Sequence, residues 1–344
     1  MALRVGLFVR GHSARDAEGC DGRGVARDHQ PSSRALLFDG HRAQRGAPSL
    51  RRPGRTVAPC ELGFSGLNGA AMPYALVRGV RLYFEDHGSG PCVIVAHGML
   101  GSVATASVVN AARLAANGLR VIAYDARGHG LSEYSQRRAD YSWAALAEDL
   151  RELMNAVGVQ QASVCGTSMG AGVALQLALT EPARVERLLL RSPPPFAEDL
   201  RPARRRMGSL AALCHYLGVP LTARIIGRLS GDTELARMIA AQRRAALVPA
   251  IRGLLFDGAQ IPIDRVQEIR APTLIFGHSG DALHPLRSAE LLRARLPGAS
   301  LQVAPSAEHW KQNQDQFCAL VASFVKGDCA SATVQSLSAS SRTR

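Results

Sequence analysis

The alternation of apolar and polar positions changes character abruptly at Met72. Residues 1–71 mix Arg, Gly, Ser, Pro and Ala without a period or a sustained apolar face. Such a stretch cannot bury enough apolar surface to offset the ordering of its chain. We expect it to be disordered or a mis-assigned extension, with translation starting at Met72. From there the pattern reads as two short strands over 72–85 that turn at Arg78-Gly79. Continuous β-rich runs then alternate with helical periods. Strands are predicted at 92–96, 120–124, 163–165, 185–191, 273–276 and 301–303, and helices at 103–117, 141–157, 169–180, 286–296 and 315–325.

Buried strands separated by crossover helices predict an α/β fold with a mostly parallel, doubly wound sheet. One segment breaks the rhythm. Residues 193–262 are helical throughout, with Leu210-Ala-Ala-Leu-Cys-His-Tyr-Leu217 and Leu235-Ala-Arg-Met-Ile-Ala240 carrying apolar residues at helical spacing. This reads as a helical lid inserted between two strands, so the core spans 72–192 and 263–326. The 327–344 tail is poor in bulky apolar residues and reads as flexible.

Composition adds exclusions. A chain of 344 residues that is 47% hydrophobic can build a sizeable core. No apolar run approaches the roughly 20 residues a membrane helix needs, and the amino terminus lacks a secretory pattern. We therefore expect a cytoplasmic protein with no membrane partner. The seven cysteines are scattered, without CxxC spacing, which points to neither a disulfide framework nor a metal site. The net charge of +13 raises the question of nucleic acid. Its cations are spread among acids, however, and accompany no recognition module, so no nucleic-acid partner is expected. The oligomeric state is not legible.

The chemistry gathers around Gly166-Thr-Ser-Met-Gly170, between the strand at 163–165 and the helix at 169–180. A sharp strand-to-helix turn strains its central residue and leaves room only for minimal side chains around it. Gly166, Gly170, Ala171 and Gly172 meet that demand. The turn would expose Ser168 Oγ at the sheet's carboxyl edge, with the Met169 amide opening the helix where its dipole favours an oxyanion. A serine nucleophile needs a base, and the base an orienting acid. Asp281 follows the strand at 273–276 and His309 follows the strand at 301–303, which gives the order Ser, Asp, His.

Through these motifs and their order, the stretch from Pro73 to Val325 resembles the α/β-hydrolase superfamily. His97-Gly98 is similar to the family's oxyanion loop, which implies that the Met99 amide works beside that of Met169. Asp125-Ala-Arg-Gly-His-Gly-Leu-Ser132 is similar to the family's DxRGxGxS loop, a turn-building element, and so implies no catalytic work for Asp125, Arg127 or His129. His97 reads as a loop-shaping residue. Many relatives carry GHxxxxE at the base, whereas this chain has Glu308 before His309 and Asn313 at the acidic position.

Serine rather than aspartate at position 168 disfavours dehalogenase and epoxide hydrolase chemistry. The expectation is a serine hydrolase with Ser168, Asp281 and His309 as its triad and the Met99 and Met169 amides as its oxyanion hole. It would need no cofactor and no metal. Its substrate would be a small-molecule ester, thioester or lactone, cleaved through an acyl-enzyme. A carbon-carbon hydrolase, a lyase or a cofactor-free oxygenase on the same scaffold remains an alternative, as does a non-catalytic small-ligand binder.

Overall fold

The computed structural model describes residues 73–105, 108–196, 199–328 and 335–336. The expectations for 1–71, for Met72 as a start and for most of the tail fall outside these residues.

Eight strands form the sheet: β1 (Tyr74–Val77), β2 (Val80–His87), β3 (Cys92–Ala96), β4 (Arg120–Tyr124), β5 (Ala162–Thr167), β6 (Val185–Arg191), β7 (Thr273–His278) and β8 (Ser300–Ala304). A two-residue strand, Gln335–Ser336, extends its far edge. The order runs β1-β2-β4-β3-β5-β6-β7-β8, with β1, β2 and β4 antiparallel at one side and every later pairing parallel. β1 and β2 meet at the predicted turn, where Arg78 and Gly79 both take positive φ.

The period-2 rule explains why the central strands read as unbroken apolar runs. Side chains alternate between faces, and helices cover both. Ile94, Ile122, Val164, Leu188 and Leu190 face one core, shared with α2 (Trp143–Ala156), α3 (Met169–Thr180) and α8 (Leu286–Arg295). Val93, Val121, Cys165 and Leu189 face the other, shared with α1 (Ala111–Ala116) and α10 (Gln314–Lys326). α3 is buried almost all round, as expected of a helix with no polar stripe. A Cβ at Gly172 would overlap the Trp143 ring, so this glycine sets how closely α2 and α3 approach.

The helix expected at 103–117 is shorter than its pattern. A 3-10 turn at Val103–Thr105 is followed by α1, which begins only after Asn110. Asn110 Oδ1 accepts the Arg113 N–H at 3.0 Å, and this cap starts the helix late. Among the described residues the insertion between β6 and β7 carries four α-helices, α4 (Leu200–Leu217), α5 (Val219–Ser230), α6 (Thr233–Ala240) and α7 (Arg244–Arg252), the last running into a π-helical turn at Gly253–Asp257. No helix among the described residues is long and apolar enough to cross a membrane.

Candidate active site

The carboxyl ends of β3, β5 and β6, with Leu283 and His284 from the loop after β7, line a cavity of about 360 Å³ that contains Ser168. Ser168 sits at φ 52°, ψ −106°, a conformation that only strongly constrained non-glycine residues hold. The constraints are visible. The Ser168 N–H donates to the Arg191 carbonyl at 2.9 Å, the Gly172 N–H donates to the Ser168 carbonyl at 3.1 Å, and the Gly170 N–H donates to the His97 carbonyl at 3.0 Å. A Cβ at Gly170 would overlap the Ala96 carbonyl, and one at Gly166 would overlap the Gly170 carbonyl. The glycines flanking Ser168 are therefore required by the close approach of β3, β5 and α3.

Ser168 Oγ lies 2.7 Å from Nε2 of His284. On the far side of that ring, Nδ1 lies 3.0 Å from Asp281 Oδ2. The other carboxylate oxygen, Oδ1, accepts the N–H groups of Leu283 at 2.8 Å and His284 at 2.9 Å. Asp281 thus folds its own loop into a turn that carries the imidazole back over the carboxylate and toward the serine. His278, the last residue of β7, reaches the same Oδ2 with its Nε2 at 3.3 Å. Burial opposes the charged form of Asp281, but the hydrogen bonds from His278 and His284 outweigh it and hold the carboxyl well below the usual carboxylate range. Its bond to Asp281 raises His278 above the ordinary histidine value, against the pull of burial.

The structure brings together two of the three residues expected to act as a group. Asp281 and Ser168 share one imidazole, but that imidazole belongs to His284, not to His309. His309 lies on α9 (Ala307–Gln312), the turn into which the chain coils directly after β8. Its ring packs edge-on to Trp310, with centroids 4.9 Å apart, and its Nε2 is buried with no hydrogen-bond partner. The physical reason lies in the two loops. Helix α9 commits His309 to the packing around Trp310, whereas the turn built by Asp281 delivers His284. The sequence did carry a signal for this: Asp281-Ala-Leu-His284-Pro285 places a histidine three residues after an aspartate able to cap its own loop.

Met99 lines the cavity, and Met169 opens α3, where its N–H has no acceptor within the helix. Asp125 accepts the N–H groups of Val103 at 2.6 Å and Leu131 at 2.8 Å, Arg127 forks onto Asp149 through two bonds of 2.7 Å, and His129 lies between the Arg127 and Met99 carbonyls. All three build the turn. His97 accepts the Ala126 N–H at Nε2 (2.9 Å) and approaches the Gly98 carbonyl with Nδ1 (2.7 Å), which fixes the proton on Nδ1. Burial, with help from His129, pulls the His97 imidazole down to about 3, so the ring stays neutral. Among the described residues no cluster of three or more His, Cys, Asp or Glu could hold a metal ion.

The family model described as serine aminopeptidase, S33, matches residues 89–313. An uncharacterized protein of Mycobacterium tuberculosis is 31% identical over 287 residues, covering 77% of this chain and 80% of the relative. The 2-hydroxymuconate semialdehyde hydrolase of Pseudomonas putida is 29% identical over 265 residues, covering 73% and 92%. Among solved structures, the enol-lactonase of Burkholderia xenovorans superposes with a TM-score of 0.62 at 21% identity, covering 74% of this chain and all of that one. The family model spans the residues that include Ser168 and Asp281: the chain belongs to the S33 family of α/β hydrolases.

Proposed function

We propose that this hydrolase is a serine enzyme that cleaves a carboxylic ester, thioester or lactone through an acyl-enzyme. The observation that carries the reading is the 2.7 Å contact between Ser168 Oγ and His284 Nε2, backed by the 3.0 Å contact of His284 Nδ1 with Asp281. A serine hydroxyl is a weak nucleophile until a base takes its proton. His284 takes that proton as Ser168 attacks the carbonyl, and Asp281, held ionised, stabilises the imidazolium and fixes its tautomer. The Met99 and Met169 amides receive the developing oxyanion. His284 then protonates the leaving group and activates the water that releases the acid. Met207, Leu235 and Met238 of the insertion line the same cavity, which supports its role as a lid over the acyl chain.

Carbon-carbon bond hydrolysis is the second reading, favoured by the 29% identity to the P. putida enzyme. It would use the same serine and imidazole on a ketonic carbonyl.

The test is a fluorophosphonate probe followed by a panel of p-nitrophenyl esters. The probe should label Ser168, and Ser168→Ala should abolish both labelling and turnover. Normal turnover in that variant would remove the mechanism, and labelling without ester turnover would favour the carbon-carbon reading.

A further inference from the structure

The lining of the catalytic cavity is mostly apolar, but Arg191 also lines it. This residue ends β6, and its backbone carbonyl holds the Ser168 N–H. Its side chain is unusual. Nε is buried and has no hydrogen-bond partner, and the guanidinium makes no ion pair or side-chain hydrogen bond among the described residues. Other charged groups of the lining are matched. Lys311 pairs with Glu234 at 2.6 Å and with Glu308 at 3.1 Å, and Asp232 caps α6 by accepting the Leu235 N–H at 2.8 Å. Asp281 and Glu234 lie near enough to favour the Arg191 charge, yet each is engaged elsewhere, Asp281 with two imidazoles and Glu234 with Lys311. Arg191 is partly buried; arginine keeps its charge in proteins, and a buried guanidinium N–H without an acceptor is costly unless something completes it.

We propose that Arg191 is the donor site that binds a carboxylate carried by the substrate, so that the enzyme acts on acyl compounds with a free acid group a few bonds from the scissile carbonyl. This rests on the reading of Ser168 as the nucleophile and names the substrate class for that same cavity. The register supports the geometry. Thr167, the residue before the nucleophile, pairs directly with Arg191 across β5 and β6, so Arg191 and Ser168 leave neighbouring strand ends and line one cavity. A guanidinium presents its N–H groups as a planar fork matched to a carboxylate, and a charge-assisted pair of this kind discriminates strongly inside an apolar lining. A substrate with the same chain but no charge would leave Arg191 as unmatched as it is now.

The experiment compares mono-p-nitrophenyl glutarate, which carries a terminal carboxylate, with p-nitrophenyl pentanoate, which does not. The native enzyme should prefer the glutarate ester in kcat/KM by at least about tenfold, mainly through KM. Arg191→Met should cut that ratio by about tenfold to a hundredfold, and Arg191→Lys should keep part of it. Equal losses on both esters in Arg191→Met, or no preference in the native enzyme, would overturn the proposal. A second measurement needs no turnover. Glutarate should raise the melting temperature of Ser168→Ala more than its neutral diamide, glutaramide, does, and Arg191→Met in that background should erase the difference. Glutarate binding that depends on Arg191 in an enzyme whose serine proves inert would sustain the anion site and refute the catalytic reading. Turnover through Ser168 with no effect of glutarate would do the reverse.

Discussion

Replacing His284 and His309 one at a time separates the base that the geometry supports from the one expected after the last strand. His284 Nε2 stands 2.7 Å from Ser168 Oγ. Removing a base from a working triad costs roughly 10⁴ to 10⁶ in kcat, which is about 5–8 kcal/mol of transition-state stabilisation at 1.36 kcal/mol per factor of ten. His284→Ala should therefore lose fluorophosphonate labelling and ester turnover almost completely. His309→Phe should behave in the opposite way. It keeps a ring against Trp310, a contact of about 0.5–1.5 kcal/mol, and deletes the buried Nε2 that has no partner. Leaving such an atom unsatisfied costs about 1–3 kcal/mol, so its removal should stabilise the fold by about 1 kcal/mol. For a domain of this size that is about 2–4 °C in melting temperature, with turnover within a few-fold of native. Paired rate and melting measurements on the two variants decide the matter. A collapse of activity in His309→Phe beside a near-native His284→Ala would refute the assignment.

Three further outcomes are expected. Asp149 is buried and accepts the fork from Arg127 as well as Nη1 of Arg78 at 2.9 Å, so Asp149→Ala should cost about 3–5 kcal/mol in urea unfolding by stranding a buried cation; a loss under 1 kcal/mol would contradict this. The bond to Asp281 raises His278, so its contribution to stability is complete below the ordinary histidine value and is lost as pH rises through the raised one. The depressed Asp281 contributes above the ordinary carboxylate value and loses that as pH falls toward its own. His278→Gln should therefore cost more stability at about pH 5 than at about pH 9, and equal costs would refute the pairing. His97→Ala should lower kcat by about tenfold to a hundredfold with KM little changed, because Nδ1 of His97 holds the Gly98 carbonyl at 2.7 Å and that carbonyl belongs to the peptide carrying the Met99 N–H. A variant with native kcat would show that the Gly101 N–H, which also reaches the Gly98 carbonyl, suffices alone.

Much of this was legible in the chain because it is enforced locally. The strands of the parallel sheet are continuous apolar runs since both faces are covered. The serine elbow announces itself through Gly166, Gly170 and Gly172, each set against a neighbour that a Cβ would overlap. Asp281 could be read as the residue leaving a buried strand. His284 had only a local signal, the aspartate three residues before it, because its position depends on a turn that this aspartate builds and on how that turn docks beside Ser168. The sequence shows two histidines after two strands and does not show which loop tips inward. The shortened helix before β4 has the same kind of cause. Asn110 caps α1, while Asp125, fifteen residues further on, holds the preceding turn through the Val103 N–H.

The histidines gathered at this sheet edge show why residue type alone does not identify a base. An imidazole can shuttle a proton only if one nitrogen is held by an acceptor and the other faces the hydroxyl to be activated. His97 fails because a backbone N–H occupies its Nε2 lone pair and a carbonyl takes its Nδ1 proton, leaving a neutral ring with nothing to exchange. His129 fails because both nitrogens face carbonyl oxygens and neither faces a hydroxyl. His278 shares the carboxylate but turns its other nitrogen to the Ser279 carbonyl at 3.1 Å. His309 has an aromatic neighbour and no polar one at Nε2. Only at His284 are the two nitrogens divided between a carboxylate and the strained serine. The proposed role of His284 thus rests on its partners rather than on its position after a strand, and Asp281 and His284 share one short turn, so that any movement of the 281–285 loop carries both toward or away from Ser168 together.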